Sequence, residues 1–282
     1  KRNHIMQNNL IDKQLVDTTM AQCGVSNLDD ASIRDTVKIA NLLEKATGEK
    51  FIRMEMGVPG LAPSRIGTEA EIEALKHGVA QFYPMLEGYP VLSEEASRFV
   101  KNFMDVDIRP EGIIPTVGAM QASYVAFMAL TECHKGKDTI LFIDPGFPVQ
   151  KTQLEVIGKP YQTFDIYEYR EEKLEAKLRE YLDRGNIAGI VYSNPNNPSW
   201  VCLTDFELQV IGKLATEYDT IILEDLAYFA MDFRKDLSHP GKAPFQPTVA
   251  KYTDNYIFMI SSSKLFSYAG QRLGLLCISD AL

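Results

Sequence analysis

The chain has 282 residues, of which 45% are hydrophobic and 24% are charged, a composition typical of globular proteins. The formal net charge is −9, and an acidic surface repels nucleic acid and anionic lipid, so neither is predicted as a partner. No apolar stretch reaches the ~18 residues that a membrane-spanning helix needs. The four cysteines lie far apart and form no Cys-x-x-Cys pair, which predicts no metal site and indicates a reducing, cytoplasmic location.

The first third of the chain is predicted to be mainly helical. Apolar residues at near-helical spacing predict helices within residues 1–48, with Gly48 as the stop. Residues 51–56 are predicted to form a short strand before the Gly/Pro-rich loop 57–63, which is the best candidate for a domain boundary or hinge. Further helices are predicted over residues 69–78 and over residues 94–104, the second capped by Ser93.

From residue 116 onward, helical patterns alternate with short apolar runs. Helices are predicted over residues 116–130, 171–183 and 204–218, the last with a capping box formed by Thr204 and Glu207. Strands are predicted at the apolar runs 139–143, 187–192, 220–223, 256–260 and 273–278. Continuous apolar runs are typical of strands buried on both faces, and strands separated by helices predict an α/β fold with a mostly parallel sheet.

Polar residues follow several of these strands, and ligands bind beyond the carboxyl ends of parallel strands. They include Asp144, Asn194, Asp225 and the segment 261–264, which ends in Lys264. A lysine directly after an apolar strand is partly desolvated, which lowers the pKa of its amine and makes it a usable nucleophile. The simpler alternative is a surface lysine at a strand end.

Six segments, in order along the chain, resemble the class I/II aminotransferase family, which comprises pyridoxal phosphate (PLP) enzymes of fold type I. In the last of them, serines precede Lys264 and an arginine, Arg272, follows it by eight residues. The other five are Tyr83-Pro-Met-Leu-Glu-Gly88, Thr116-Val-Gly118-Ala119-Met120-Gln121, Asp144-Pro-Gly-Phe147, Asn194-Pro-Asn-Asn197-Pro198 and Glu224-Asp225-Leu-Ala-Tyr228. Six ordered matches are far more specific than any single one.

The resemblance implies a three-layer α/β/α large domain with a mostly parallel sheet, plus part of a smaller α+β domain. Residues 1–60 would form an N-terminal arm and part of the small domain, and residues 61–282 the large PLP-binding domain. We expect the sequence to continue beyond residue 282 into the C-terminal small domain. That domain carries the family's carboxylate-binding arginine, so no residue is nominated for it here.

The resemblance also implies PLP as the cofactor, held as an imine by Lys264. Asp225 would keep the pyridine nitrogen protonated through a charge-assisted hydrogen bond, as an electron sink requires. Asn197 and Tyr228 would hydrogen-bond the ring hydroxyl oxygen, and Phe147 would stack on the ring face. Taken singly, these residues have simpler interpretations: a capping or solvated aspartate, a turn asparagine and core aromatic side chains.

The phosphate is expected at the N-terminus of the helix that opens at Gly118, where free N–H groups and the helix dipole favour an anion. The backbone groups concerned belong to Gly118, Ala119 and Met120. Arg272 would add a bidentate charge, and Ser261, with Ser263, would add hydroxyl donors. In the family, the tyrosine that matches Tyr83 reaches the phosphate of the neighbouring subunit, which implies a homodimer.

One departure from the family's pattern concerns the asparagine turn. The family continues that motif with Thr-Gly, whereas this chain has Ser199-Trp200. The tryptophan crowds the turn, and either reshapes the substrate side or marks a divergent subfamily. Nearby on the substrate side, Arg65 could meet an acidic substrate, although a solvated loop arginine is the simpler interpretation.

The predicted function is transamination between an amino acid and a 2-oxo acid, with Lys264, Asp225 and Tyr228 as the catalytic residues. A substrate amine displaces Lys264, which then moves the Cα proton as a general base. The alternative is a PLP-dependent lyase or decarboxylase on the same scaffold, because the residues around the cofactor do not specify which bond breaks. A third hypothesis, a non-catalytic binding protein, is disfavoured by the retained lysine.

Overall fold

The computed structural model describes residues 11–282 and divides the chain into two compact units, Lys1–Pro59 and Gly60–Leu282. The division falls within the Gly/Pro-rich loop 57–63. The identity of the units as an N-terminal arm and a PLP-binding domain stays a prediction. None of the helices in the described residues is long and apolar enough to cross a bilayer.

The first unit contains α1 (Lys13–Gln22) and α2 (Ile33–Thr47). A capping box between Ser32 and Asp35 begins α2, and Gly48 ends it with a left-handed backbone (φ 76°), as predicted. The strand predicted over residues 51–56 is wrong, since this segment forms no strand. A side chain of α2 contacts the start of this segment: a carboxylate oxygen of Glu44 accepts a hydrogen bond from the backbone N–H of Phe51 at 3.0 Å.

The second unit carries the sheet. Its strands are β1 (Ile113–Val117), β2 (Thr139–Asp144), β3 (Tyr161–Asp165), β4 (Ile187–Ser193), β5 (Ile221–Leu226), β6 (Tyr256–Ser261) and β7 (Leu273–Ile278). Its α-helices are α3 (Arg65–Lys76), α4 (Pro90–Met104), α5 (Gly118–Cys133), α6 (Pro148–Ile157), α7 (Glu172–Leu182), α8 (Asp205–Glu217) and α9 (Ser262–Leu265).

Within residues 11–282 these seven strands form one sheet in the order β1-β7-β6-β5-β4-β2-β3. Strands β2 to β6 pair in parallel, whereas β7 runs antiparallel to both of its neighbours, β1 and β6. The mostly parallel sheet confirms the predicted α/β fold.

Helices cover the sheet on both faces, which explains the continuous apolar runs. Every residue of β5 and β6 is buried. Along β6, Phe258 packs into the core beneath α4, α7 and α8, whereas the next residue, Met259, packs into the core beneath α5. Since successive side chains of a strand point to opposite faces, both faces must be apolar. The result is the predicted three-layer α/β/α arrangement.

Four local features differ from the predictions. The sequence analysis did not predict strands β1 and β3 or helix α6. Strand β3 is half-exposed at one edge of the sheet, so it has no continuous apolar run. Strand β1 lies at the other edge and contains Pro115, a residue that sheets accept mainly in edge strands. Residues 116 and 117 therefore belong to β1, not to α5. Helix α4 begins at Pro90, so Ser93 does not cap it; its buried hydroxyl donates to the carbonyl of Ile113 at 3.3 Å. Strand β5 extends through Asp225.

Candidate active site

Lys264 lies in α9, one short step beyond the end of β6. Its side chain is half-buried, and its Nζ lies 5.9 Å from the centroid of the Tyr228 ring. Burial and, second, the nearby cation of Arg272 lower the pKa of the Lys264 amine. Both effects favour the neutral amine, which is the nucleophilic form.

Asp225 is buried near the carboxyl end of β5, with 6% of its surface exposed. Its Oδ2 accepts from Nε2 of Gln150 at 2.8 Å, and its Oδ1 accepts from the backbone N–H of Ala227 at 3.0 Å. Burial raises the pKa of Asp225, while these two hydrogen bonds lower it. No lysine, arginine or histidine in residues 11–282 forms an ion pair with this carboxylate. A positively charged N–H donor would therefore relieve the cost of ionising it.

Gln150 was not identified from the sequence. It lies in the first turn of α6, a helix that sequence patterning did not reveal, and its side chain is buried against Asp225. The sequence signal that could have identified Gln150 is its position three residues after Phe147, a predicted site residue. Its contact with the carboxylate makes it part of the candidate site.

The start of α5, the start of β7 and the side chain of Arg272 come together in an arrangement that could hold an anion. Gly118 opens the 16-residue helix α5 with φ 70°, and a Cβ at Gly118 would collide with the guanidinium of Arg272. A Cβ at Gly274 would come within 2.8 Å of the backbone nitrogen of Ala119. Both glycines leave room for this approach, which brings the exposed guanidinium of Arg272 to the positive end of a helix dipole.

The same site includes the other predicted phosphate-binding groups. The N–H groups of Ala119 and Met120 lie in the first turn of α5. Ser261 is buried at the end of β6, and its Oγ accepts from the backbone N–H of Ser263 at 3.2 Å, capping α9. Ser262, which was not predicted, donates from its hydroxyl to the carbonyl of Leu273 at 2.9 Å and fixes α9 against β7.

The turn that follows β4 carries Asn197, and the buried side chains of Asn194 and Asn196 stabilise it. Nδ2 of Asn196 donates to the carbonyl of Pro145 at 2.6 Å, and Oδ1 of Asn194 accepts from the backbone N–H of Leu203 at 3.1 Å. The backbone N–H of Asn197 donates to Oγ of Ser193 at 3.3 Å. The asparagine turn is therefore an ordered structure even though Ser-Trp replaces Thr-Gly.

Aromatic side chains occupy the space near the lysine. Tyr228 is half-buried; burial and, second, the charge of Asp225 raise the pKa of its hydroxyl. Phe147 is partly exposed immediately before α6. Trp200 adopts a left-handed backbone (φ 58°) and meets Tyr228 edge to face, with ring centroids 5.4 Å apart.

Two predicted residues are not brought to this group. Tyr83 is fully exposed and contacts none of the other predicted site residues within the part of the chain that the structure describes. Arg65 is exposed and donates from Nε to Glu69, four residues along α3, at 2.7 Å. The geometry of Arg65 agrees with the simpler interpretation of a solvated arginine.

The residues present fit PLP, the group that the resemblance implies. A primary amine of lowered pKa, a buried carboxylate, and a helix N-terminus with an adjacent arginine all lie at strand ends on one edge of the sheet. The pairing of Asp225 with Ser193 and Met259 places the ends of β4, β5 and β6 close together. Among the described residues, no three potential metal ligands come together.

Known proteins resemble this chain across most of its length. A protein 31% identical over 241 residues is an aspartate aminotransferase of Pyrococcus horikoshii; the match covers 84% of this chain and 58% of that protein. A solved alanine aminotransferase from Pyrococcus furiosus superposes with a TM-score of 0.74 at 27% identity, covering 88% of this chain and 61% of that one. An aminotransferase from Mycobacterium tuberculosis, with a TM-score of 0.74 at 19% identity, covers 92% of this chain and 64% of that one, and supports the fold alone.

The chain spans about three fifths of the length of these relatives. The family model for aminotransferases of class I and II matches residues 49–282, which include every predicted site residue. Members of that family use pyridoxal phosphate as their cofactor. With most of its length matched, the chain belongs to the class I and II aminotransferase family.

Proposed function

We propose that the chain is the cofactor-binding part of a PLP-dependent aminotransferase that moves an amino group between an amino acid and a 2-oxo acid. The observation that carries this proposal is the half-buried amine of Lys264, whose pKa is lowered beside Tyr228 and Arg272. A lysine that attaches a carbonyl cofactor needs an unprotonated amine at neutral pH. The 31% identity to an aspartate aminotransferase supports the same reaction class.

The side chains have distinct roles in this proposal. Lys264 would hold the cofactor through its Nζ, and the same amine would accept the Cα proton of the substrate and return it. Asp225 holds a proton on the ring nitrogen, and Gln150 orients its carboxylate. Bound PLP supplies an electron sink. Asn197 and Tyr228 hold the ring hydroxyl oxygen.

The rest of the predicted set binds the other parts of the cofactor. Phe147 covers the ring face, in keeping with its partial exposure beside α6. Arg272 and the N–H groups at the start of α5 hold the phosphate, where the glycine contacts bring them together. These N–H groups belong to Gly118, Ala119 and Met120, and Ser261 and Ser263 add hydroxyl donors to the phosphate.

We further propose a homodimer in which Tyr83 reaches the phosphate of the neighbouring site. Helix α3 has no buried residue, and the segment 61–91 exposes a run of large apolar side chains. They include Leu61, Ile66, Phe82, Met85 and Leu86. Extended exposed apolar surface is typical of an interface. We place the dimer in the cytoplasm, where its four free cysteines would stay reduced.

Cofactor attachment tests this proposal directly. The full chain is mixed with PLP, reduced with borohydride and digested, and the modified peptide is identified by mass spectrometry. We expect the label on Lys264, its loss in Lys264→Ala and its retention in the control Lys251→Ala, an exposed lysine outside the site. Attachment should also reach half its maximum below pH ~10.4, the ordinary pKa of lysine, because burial favours the neutral amine.

The reaction class is tested with amino acids on the loaded chain. Conversion of the bound cofactor to pyridoxamine phosphate, with release of a 2-oxo acid, is the expected result. Labelling at other lysines, or none, would contradict the assignment of Lys264. Release of ammonia, a thiol or carbon dioxide without pyridoxamine formation would instead identify a lyase or decarboxylase.

A further inference from the structure

Neither the backbone conformation at position 200 nor packing in the core accounts for the presence of a tryptophan there. Its φ of 58° lies in the left-handed region, which disfavours residues that carry a Cβ. The ring is not part of the core either, because 41% of the residue is exposed. A large side chain that persists in a strained and partly exposed position points to a role for the ring itself.

Two aromatic neighbours fix the indole. The ring of Tyr228 meets it edge to face at 5.4 Å, and the ring of Phe233 lies nearly parallel to it at 6.1 Å. Phe233 is 81% exposed, so this pair presents apolar surface to solvent. We call Trp200, Tyr228 and Phe233 the aromatic wall.

The aromatic wall begins at the lysine. The Tyr228 ring that contacts the indole also has the Nζ of Lys264 5.9 Å from its centroid. A single ring therefore separates Trp200 from the amine at which the proposed chemistry occurs. A substrate joined to the cofactor there would have the aromatic wall within reach of its side chain.

The arginine beside the wall is already paired with an aspartate. Arg234 follows Phe233, and its guanidinium donates to both carboxylate oxygens of Asp232 at 2.7 and 2.9 Å. The wall thus offers ring faces and edges, which favour aromatic and large apolar groups. An acidic side chain placed there would lose hydration without gaining an unpaired cation from this arginine.

We propose that Trp200 is a specificity-determining residue, and that the aromatic wall holds the side chain of an aromatic or large apolar amino-acid substrate. This inference rests on the proposed function, because it requires the cofactor to bind beside Lys264 and to be joined there to the substrate. The left-handed backbone at position 200 is compatible with glycine, so Trp200→Gly removes the ring without straining the turn.

Stable adducts separate side-chain recognition from turnover. The probes are phosphopyridoxyl-L-phenylalanine and phosphopyridoxyl-L-aspartate, with PLP alone as the control, and affinities for the full chain are measured by calorimetry. We expect the phenylalanine adduct to bind about tenfold more tightly than the aspartate adduct, a difference of about 1.4 kcal/mol. Trp200→Gly should bring the two affinities within about twofold, Trp200→Phe should keep most of the preference, and PLP should bind each variant alike.

The outcomes distinguish this inference from the proposed function. Equal affinities for the two adducts in the unaltered chain, or an unchanged preference in Trp200→Gly, would overturn the role of Trp200 while PLP still binds. A chain that binds neither PLP nor either adduct overturns the proposed function and this inference with it.

Discussion

Replacing Glu224 with glutamine should remove a pH dependence of folding stability. Glu224 is fully buried in β5, and its Oε2 accepts from the hydroxyl of Thr248 at 2.6 Å and from the backbone N–H of Val249 at 3.3 Å. Its Oε1 and the hydroxyl of Tyr192 are both buried without a hydrogen-bond partner among the described residues. Burial raises the pKa of Glu224 to about 7, although nearby hydrogen-bond donors, Thr248 first among them, oppose this increase.

The sign and size of the effect follow from this pKa. An unfolded chain releases the glutamate proton near pH ~4.3, whereas the folded chain keeps it until the pH reaches about 7. Between these values the folded chain binds more protons, so the free energy of unfolding falls as the pH rises. At about 1.4 kcal/mol for each pKa unit, the cost of ionising Glu224 amounts to about 4 kcal/mol once the pH is well above 7.

Urea-induced unfolding at pH values from 4.5 to 8, followed by circular dichroism, measures this cost. Glutamine resembles the protonated acid, because it keeps an acceptor for Thr248 and adds a donor on the side of Tyr192. Glu224→Gln should match the unaltered chain at pH 4.5 and exceed its stability by about 4 kcal/mol at pH 8. Glu94→Gln, an exposed substitution on α4, controls for the lost charge. A difference that is the same at every pH would refute the reasoning.

Two further substitutions test the candidate site. Gly118→Ala should weaken PLP binding at least tenfold in an absorbance titration, because its Cβ collides with the arginine that would hold the phosphate. Gly158→Ala, with a similar φ of 68° and open space around it, shares the backbone strain and should leave the affinity unchanged; equal losses would contradict the steric argument. Gln150→Glu places a second carboxyl group 2.8 Å from Asp225, where the two can share a proton at low pH but repel when both are ionised. Its melting temperature should fall steeply between pH 5 and pH 8, unlike that of the exposed substitution Gln209→Glu, and parallel curves would count against this contact.

Local sequence patterns predicted the elements whose signals are themselves local. The apolar runs of β4 and β6 predicted buried strands because helices cover both faces of the sheet. The capping box at the start of α8 is confirmed: Thr204 accepts from the backbone N–H of Glu207, whose carboxylate accepts from the backbone N–H of Thr204. Asn194 and Lys264 follow apolar runs, and the carboxyl ends of parallel strands lie at one edge of the sheet, so the sequence could predict that these residues lie near one another.

Other features depend on contacts between distant segments and could not be predicted. Strand β3 is half-exposed at the edge of the sheet, so it has no apolar run to reveal it. Glu224 and Asp225 are adjacent in the sequence, but Glu224 binds Thr248 whereas Asp225 binds Gln150. Successive side chains of a strand point to opposite faces of the sheet, so β5 places these two carboxylates on opposite faces. The predicted strand ends at residue 223 and therefore could not show this separation.

The reversed direction of β7 has a consequence for how this family can vary. Because β7 runs against β6, its first residues return to the edge at which β6 ends, and Gly274 pairs with both Ser261 and Thr116. The lysine and the arginine therefore stand at the two ends of one tight reversal. An insertion in the eight-residue interval between them would change their relative placement, so we expect insertions to be tolerated better in the loops between parallel strands than here.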